Sequence, residues 1–291
     1  MIAGVDVGGT FIKVFTGKTR FKIETGSSFE NIILALRRLK HELNVEKIGV
    51  GLPGLIDERT GLITDSPNVP FLSGLDVKGI LSEELGIPIV IGNDATLAAY
   101  GEYVLGAGRG GKIVICLTLG TGLGGGAVIF GELLTGVSGC AMEVGHMVVQ
   151  KDGWRCRCGR KGCLEAYVSS YGLERFYSEM WNEKLSSFEI IKRAKERDEK
   201  SMKAISSMID FLSIGLVNLV HVFNPDVIIL SGGIVDHYPE LVIDSRERLK
   251  KEAFKLPASD VDVRRATLGE FSGAVGAYLL AGGKVEIPYR T

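Results

Sequence analysis

The chain has 291 residues, 45% of them hydrophobic and 24% charged, with 34 Lys and Arg against 35 Asp and Glu. That balance describes a folded protein of one large or two modest domains. The net charge of -1 gives no general attraction to nucleic acid or to an anionic membrane. No uninterrupted apolar run reaches the ~18 residues of a membrane span. MIAGVDVGGT carries no basic leader or cleavage signal, so a cytoplasmic location is the expectation.

In chain order, residues 2–7 are apolar with one acid, Gly8-Gly9-Thr10 breaks the run, and FIKVF (11–15) resumes it: strand, tight turn, strand. FENIILALRRLKHEL (29–43) has helical spacing. KIGVGLPGLI (47–56) reads as a strand ending in a Pro-Gly loop, and LDVKGILSEELG (75–86) as an amphipathic helix closed by Gly86. IPIVIG (87–92) is a buried strand leading to Asn93-Asp94 and a helix over 95–106. KIVICLTLG (112–120) is a strand that GTGLGGGAVIF (120–130) turns into a second hairpin. Residues 164–223 are mostly helical, with a charged break at 192–200 and a stop at Asn224-Pro225. DVIILSGG (226–233) is a strand running into a glycine turn, and 269–283 a small-residue helix. Alternating strands and helices define an α/β class. The two hairpins, VDVGGTFIKVF and LTLGTGLGGGAVIF, form a weak internal repeat with a boundary near 105–112.

Glycine is the compositional outlier, with 39 residues where a typical share of ~7% would give about half as many. Clustered glycines let a backbone approach an anion and aim N–H groups at it. Asp6, Gly8, Gly9, Thr10 and Lys13 form one such candidate, with Asp6 placed to hold Mg²⁺ through water, and Gly120–Gly126 a second. A plain hairpin turn accounts equally well for either one alone. Gly120, Gly122 and Gly125 satisfy G-x-G-x-x-G, but AVIF follows where a dinucleotide fold needs a helix, so that fold is rejected. A Walker loop is absent as well: the stretch from Gly106 to Lys112 ends in Ile113 and precedes a strand. Asn93-Asp94 is either a helix cap or a carboxylate held at a strand end to take a proton from an alcohol. Gly232 and Gly233 leave room for a flat base or serve as a turn.

His146, Cys156, Cys158 and Cys163 are the most specific signal, one nitrogen and three thiolates that match a closed, structural tetrahedral zinc site. Arg155, Arg157, Arg160 and Lys161 favour the thiolates. Glu143 and Glu165 flank the block, either as solvated surface acids or as carboxylates that accept hydrogen bonds from sugar hydroxyls. Removing the metal is expected to unfold the loop.

Together these motifs resemble the ROK family of bacterial sugar kinases and related repressors, through DVGGTFIK (6–13), GLPG (51–54), SPN (66–68), GNDA (92–95), LGTGLGGG (119–126), EVGHM (143–147), CRCGRKGCLE (156–165) and SGG (231–233). The resemblance implies a two-lobed actin-like ATPase (ribonuclease H-like) fold with an interlobe cleft. The small lobe would comprise 1–107 plus 274–291, and the large lobe, bearing the zinc loop, 108–273. It implies ATP-dependent phosphorylation of a hexose 6-hydroxyl, glucose first, with N-acetylmannosamine or N-acetylglucosamine as alternatives and a non-catalytic sugar-sensing regulator as the rival class. Asp94 would be the base. Gly54, Asn68, Asn93, Asp94, Glu143, His146 and Glu165 would bind the sugar. Asp6, Gly8, Gly9, Thr10, Lys13, Gly120, Thr121, Gly122, Gly124 and Gly125 would hold ATP and Mg²⁺, with Gly232 and Gly233 near the adenosine. His146 would give one ring nitrogen to Zn²⁺ and the other to a hydroxyl. A homodimer and the absence of nucleic-acid or membrane partners are further expectations. With five residues before Asp6, no repressor-type winged helix is expected, and an enzyme is expected over a repressor.

Overall fold

The computed structural model describes residues 1–57, 59–66 and 69–285. They divide into two compact units: Met1–Arg109 with Leu133–Met142 and the segment from Glu270 onward, and Gly110–Glu132 with Glu143–Gly269.

The first unit begins with β1 (Ile2–Val7), β2 (Phe11–Phe15) and β3 (Arg20–Glu24), then α1 (Phe29–Leu43), β4 (Lys47–Leu52), β5 (Leu55–Asp57), β6 (Leu62–Asp65), α2 (Val77–Leu85), β7 (Ile89–Asn93) and α3 (Asp94–Leu105). Its sheet runs β3-β2-β1-β4-β7. The β1–β2–β3 meander is antiparallel, while β1, β4 and β7 are parallel. Parallel strands are covered on both faces, which explains why Ala3, Val5, Ile48, Val50 and Ile91 belong to near-continuous apolar runs. The run over 47–56 is broken at Pro53-Gly54, so that Leu55 starts a separate β5–β6 hairpin. Local chemistry sets the helix ends. Ser28 and Asn31 form a capping box on α1, and Gly86, in the left-handed region, closes α2.

The second unit carries β8 (Ile113–Leu119), β9 (Leu123–Ile129), β10 (Glu132–Leu133, at the border of the units), α4 (Glu165–Val168), α5 (Ser170–Trp181), α6 (Ser187–Lys195), α7 (Glu199–Phe223), β11 (Val227–Ser231), α8 (Gly233–His237), α9 (Glu240–Glu252), α10 (Lys255–Asp260) and β12 (Asp262–Arg265). Its sheet order, β10-β9-β8-β11-β12, reproduces that of the first, with an antiparallel hairpin followed by two parallel neighbours. The weak sequence repeat of the two hairpins thus marks equivalent strand pairs, β1–β2 and β8–β9. By length and composition α7 could cross a bilayer. Its apolar stripe, Ile205, Met208, Ile209, Leu212, Leu216 and Leu219, is instead buried where α5, α6 and α9 pack on it.

The chain returns to the first unit as α11 (Ser272–Leu280), preceded by a 3₁₀ turn over Gly269–Phe271 that replaces the start of the single helix expected there. This helix lies against β1, β4 and α3 at backbone distance. A Cβ on Gly4 would overlap the carbonyl oxygen of Ala274, one on Gly49 that of Ala277, and one on Gly276 that of Leu97, while one on Gly101 would crowd Ser272. Glycine is required on both sides of these contacts because backbone, not side chain, is the opposing surface. Gly276→Ala is expected to lower the unfolding free energy by about 3 kcal/mol, measured by urea denaturation.

Candidate functional site

In the first unit the β1–β2 hairpin places Asp6 opposite Lys13, and Lys13 Nζ donates to Asp6 Oδ2 at 3.0 Å. Asp6 is buried, and burial raises its pKa against the lowering effect of Lys13. A buried carboxylate held beside a single cation is suited to a further cation. The turn beyond it, Gly8-Gly9-Thr10, is braced by backbone bonds from Gly8 to Phe11 and from Thr25 to Thr10, and by Thr25 Oγ1 donating to the Gly8 carbonyl at 2.7 Å. Gly9 and Thr10 are exposed at the tip. Gly273, at the start of α11, presses on the Asp6 carboxyl, where an added Cβ would come within 2.9 Å of its Cγ.

The cap and the carboxylate of the Asn93-Asp94 pair are separate residues. Asn93 caps α3, its Oδ1 accepting from Ala95 N and Thr96 N at 3.0 Å each. Its Nδ2 donates to the Gly54 carbonyl at 3.1 Å, which fastens the GLPG loop to the end of β7. Gly54 holds a φ of 110°, a conformation that suits glycine. Asp94 is the first helical residue, half-buried, with Oδ1 accepting from Ala95 N at 2.8 Å. Asn68 lies outside the described residues.

In the second unit the glycine hairpin is shorter than its sequence suggests. The turn is Gly120–Gly122, with Thr121 exposed at its tip and Gly120 N bonding to Gly122 O at 3.0 Å. Gly124 and Gly125 lie within β9, paired with Thr118 and Leu117, because the β8–β9 ladder continues up to Leu119–Leu123. Gly232 follows β11 and packs on the backbone of Leu119, the residue before that turn, and Gly233 opens α8.

His146, Cys156, Cys158 and Cys163 converge, with their ligand atoms all within 4.8 Å of one another. Cys156 Sγ is 3.8 Å from His146 Nδ1, and Cys158 Sγ is 3.7 Å from Cys163 Sγ. A tetrahedron with metal–sulfur bonds of ~2.3 Å has edges of about 3.8 Å, so the donors fit a tetrahedral soft-metal ion. Burial, then the neighbouring thiols, push the Cys163 thiol up to about 12. The turn is built by Cys156 N bonding to Arg160 O and Gly162 N to Trp154 O. Trp154 stacks on Tyr167, which stacks on Phe211 of α7, so the cysteine turn is anchored to the helical layer.

The two carboxylates stand on either side of this cluster. Glu143 Oε2 lies 3.9 Å from His146 Nε2, the ring nitrogen turned away from the cysteines. Burial raises the Glu143 pKa, with His146 opposing and Glu165 adding to the rise. Glu165 opens α4 and spans two motifs: Oε2 accepts from Leu123 N at 3.0 Å, while Oε1 lies 3.5 Å from Cys156 Sγ and accepts from Tyr171 OH at 3.2 Å. Ser170 N and Oγ both donate to the Gly120 carbonyl, at 2.8 and 3.0 Å. Ser170, Tyr171 and Thr25 carry no motif of their own. They become visible only when the break between α4 and α5, or the β3 edge, is folded onto the glycine turns.

The sequence profile of the ROK family matches residues 2–284. The glucokinase of Thermotoga maritima is 31% identical over 302 residues, spanning 95% of this chain and 95% of that one. The N-acetyl-D-glucosamine kinase of Photobacterium profundum is 30% identical over 304 residues, spanning 96% and 99%. A ROK family glucokinase structure from Streptomyces griseus, in complex with glucose and AMPPNP, superposes with a TM-score of 0.84 at 31% identity over 97% of this chain and 99% of that one. The α/β architecture with mixed sheets is therefore the actin-like ATPase fold of such kinases.

Proposed function

The chain belongs to the ROK family, and on that premise we propose that it is an ATP-dependent hexose kinase that phosphorylates the 6-hydroxyl, with glucose as acceptor. One observation within the second unit supports this above the others. Glu143 and Glu165, two hydroxyl-accepting carboxylates, are held around a His-Cys cluster, and one of them bonds the backbone of a glycine turn suited to phosphate.

In this reading Asp94 takes the proton of the sugar hydroxyl as the hydroxyl oxygen bonds to the γ-phosphorus of ATP, whose bond to the β–γ bridging oxygen breaks so that ADP leaves. The sugar readers of the first unit are Asn68 and Asn93, the latter already fixed by its cap and by Gly54, and those of the second are Glu143, Glu165 and the Nε2 face of His146. Backbone N–H groups of Gly8–Thr10 and Gly120–Gly122 stabilise phosphate charge, Lys13 adds a cation, and Gly232 and Gly233 leave space for adenosine. Mg²⁺, held by Asp6 through water, would neutralise phosphate charge. Zn²⁺, held by His146, Cys156, Cys158 and Cys163, would close the turn that carries the sugar readers and take no part in the reaction. A cytoplasmic homodimer accompanies this reading.

An N-acetylhexosamine is the second candidate acceptor, since the Photobacterium kinase is nearly as similar as the Thermotoga glucokinase. ADP release with glucose, N-acetylglucosamine, N-acetylmannosamine, fructose and allose separates these, and sugar binding without ADP release would identify a regulator instead. Asp94→Ala is expected to lower kcat on the preferred sugar by ~10²–10⁴ with an unchanged melting temperature, because Asn93 retains the cap. A variant that works near the wild-type rate removes Asp94 as base. Metal analysis is expected to find one zinc per chain. Its removal by chelation should make Arg155, Arg157, Arg160 and Lys161 rapid tryptic sites, as structural zinc contributes roughly 10 kcal/mol to such loops.

A further inference from the structure

Tyr171 belongs to none of the glycine, carboxylate or cysteine motifs, yet its hydroxyl lies where two of them meet. It is 3.2 Å from Glu165 Oε1 and 3.7 Å from Cys156 Sγ. A phenol hydroxyl has one O–H to donate. One O–H proton serves one acceptor at a time, and the shorter contact selects the carboxylate.

Glu165 is thereby gripped at both oxygens, Oε1 by Tyr171 and Oε2 by Leu123 N at 3.0 Å. Each carboxylate oxygen has two lone pairs, so the plane is fixed while acceptor capacity remains for a sugar hydroxyl. Tyr171 is itself fixed. The Arg157 guanidinium lies over its ring, 4.4 Å from the centroid, and Arg157 stands between two of the clustered cysteines. The preceding Ser170 is bonded twice to Gly120.

We propose that Tyr171 is a positioning residue that sets the orientation of Glu165 toward the sugar and ties that orientation to the metal turn. The proposal rests on the hexose-kinase reading above. It assigns sugar affinity to a residue that touches neither sugar nor metal.

Tyr171→Phe tests it, because the ring and its contact with Arg157 remain and only the hydroxyl is lost. The KM for the hexose is expected to rise on the order of tenfold, as for loss of a hydrogen bond to a charged group. The KM for ATP and kcat should stay within about twofold of wild type, at an unchanged melting temperature. Zinc should pass to a chromogenic chelator about tenfold faster, because Glu165 Oε1, 3.5 Å from Cys156 Sγ, is no longer held by the phenol. A hexose KM equal to wild type overturns the proposal. So does a parallel rise of both KM values with a lower melting temperature, which would mark a structural role only. If the wild-type protein phosphorylates none of the sugars, the hexose reading fails, and the chelator measurement decides alone: faster zinc loss supports the tie to the metal turn, and equal rates overturn it.

Discussion

The backbone-to-backbone seating of α11 is the constraint on which the first unit depends. A helix from the end of the chain fills the space between β1, β4 and α3, and Gly4, Gly49, Gly101 and Gly276 make that approach possible. The same seating places Gly273 on Asp6 and sets α3, whose first residue is Asp94. Both acids of the proposed reaction in this unit thus take their positions from one close-packed helix. Interiors packed at this density have little slack, and a displacement of α11 would reach both acids.

A different solution operates in the second unit. Few apolar residues lie in the turn over 154–163, so it cannot hold its shape by burial alone. Its start is held by stacking of Trp154 on Tyr167, and its three cysteines gather with His146, all four ligand atoms within 4.8 Å of one another. Glu165 converts this fixed turn into a fixed carboxylate, and its bond to Leu123 N extends the order to the glycine hairpin. Each unit gives its carboxylate a hydrogen-bond donor, Lys13 Nζ for Asp6 and Leu123 N for Glu165.

The doubled sheet explains why a weak repeat was detectable. Two hairpins with equivalent positions in equivalent sheets share the need for a glycine tip after a buried strand. The tips are read differently by the fold. Gly8–Thr10 is a true exposed turn, whereas Gly124 and Gly125 are strand residues in β9, since ladder pairing runs to Leu123 before the chain turns. Glycine content alone does not distinguish a loop from a thin strand, because the absence of a side chain suits both.

Local chemistry was legible in the sequence. Alternation and helical spacing gave the α/β class, Asn93 announced a helix start, Gly86 a helix end, and the spacing of His146, Cys156, Cys158 and Cys163 the convergence of those four side chains, because each depends on residues near in sequence. The partners of Glu165 and Gly276 were not legible. That Asn93 also fastens Gly54, that Glu165 reaches Leu123 N, and why Gly4 and Gly276 must lack side chains depend on contacts between segments far apart in the chain. Sequence determined which chemical groups this protein carries and the local elements that bear them. Tertiary structure alone decided which groups meet, because hydrogen-bond direction and backbone approach are set by packing between elements and not by the order of residues within one.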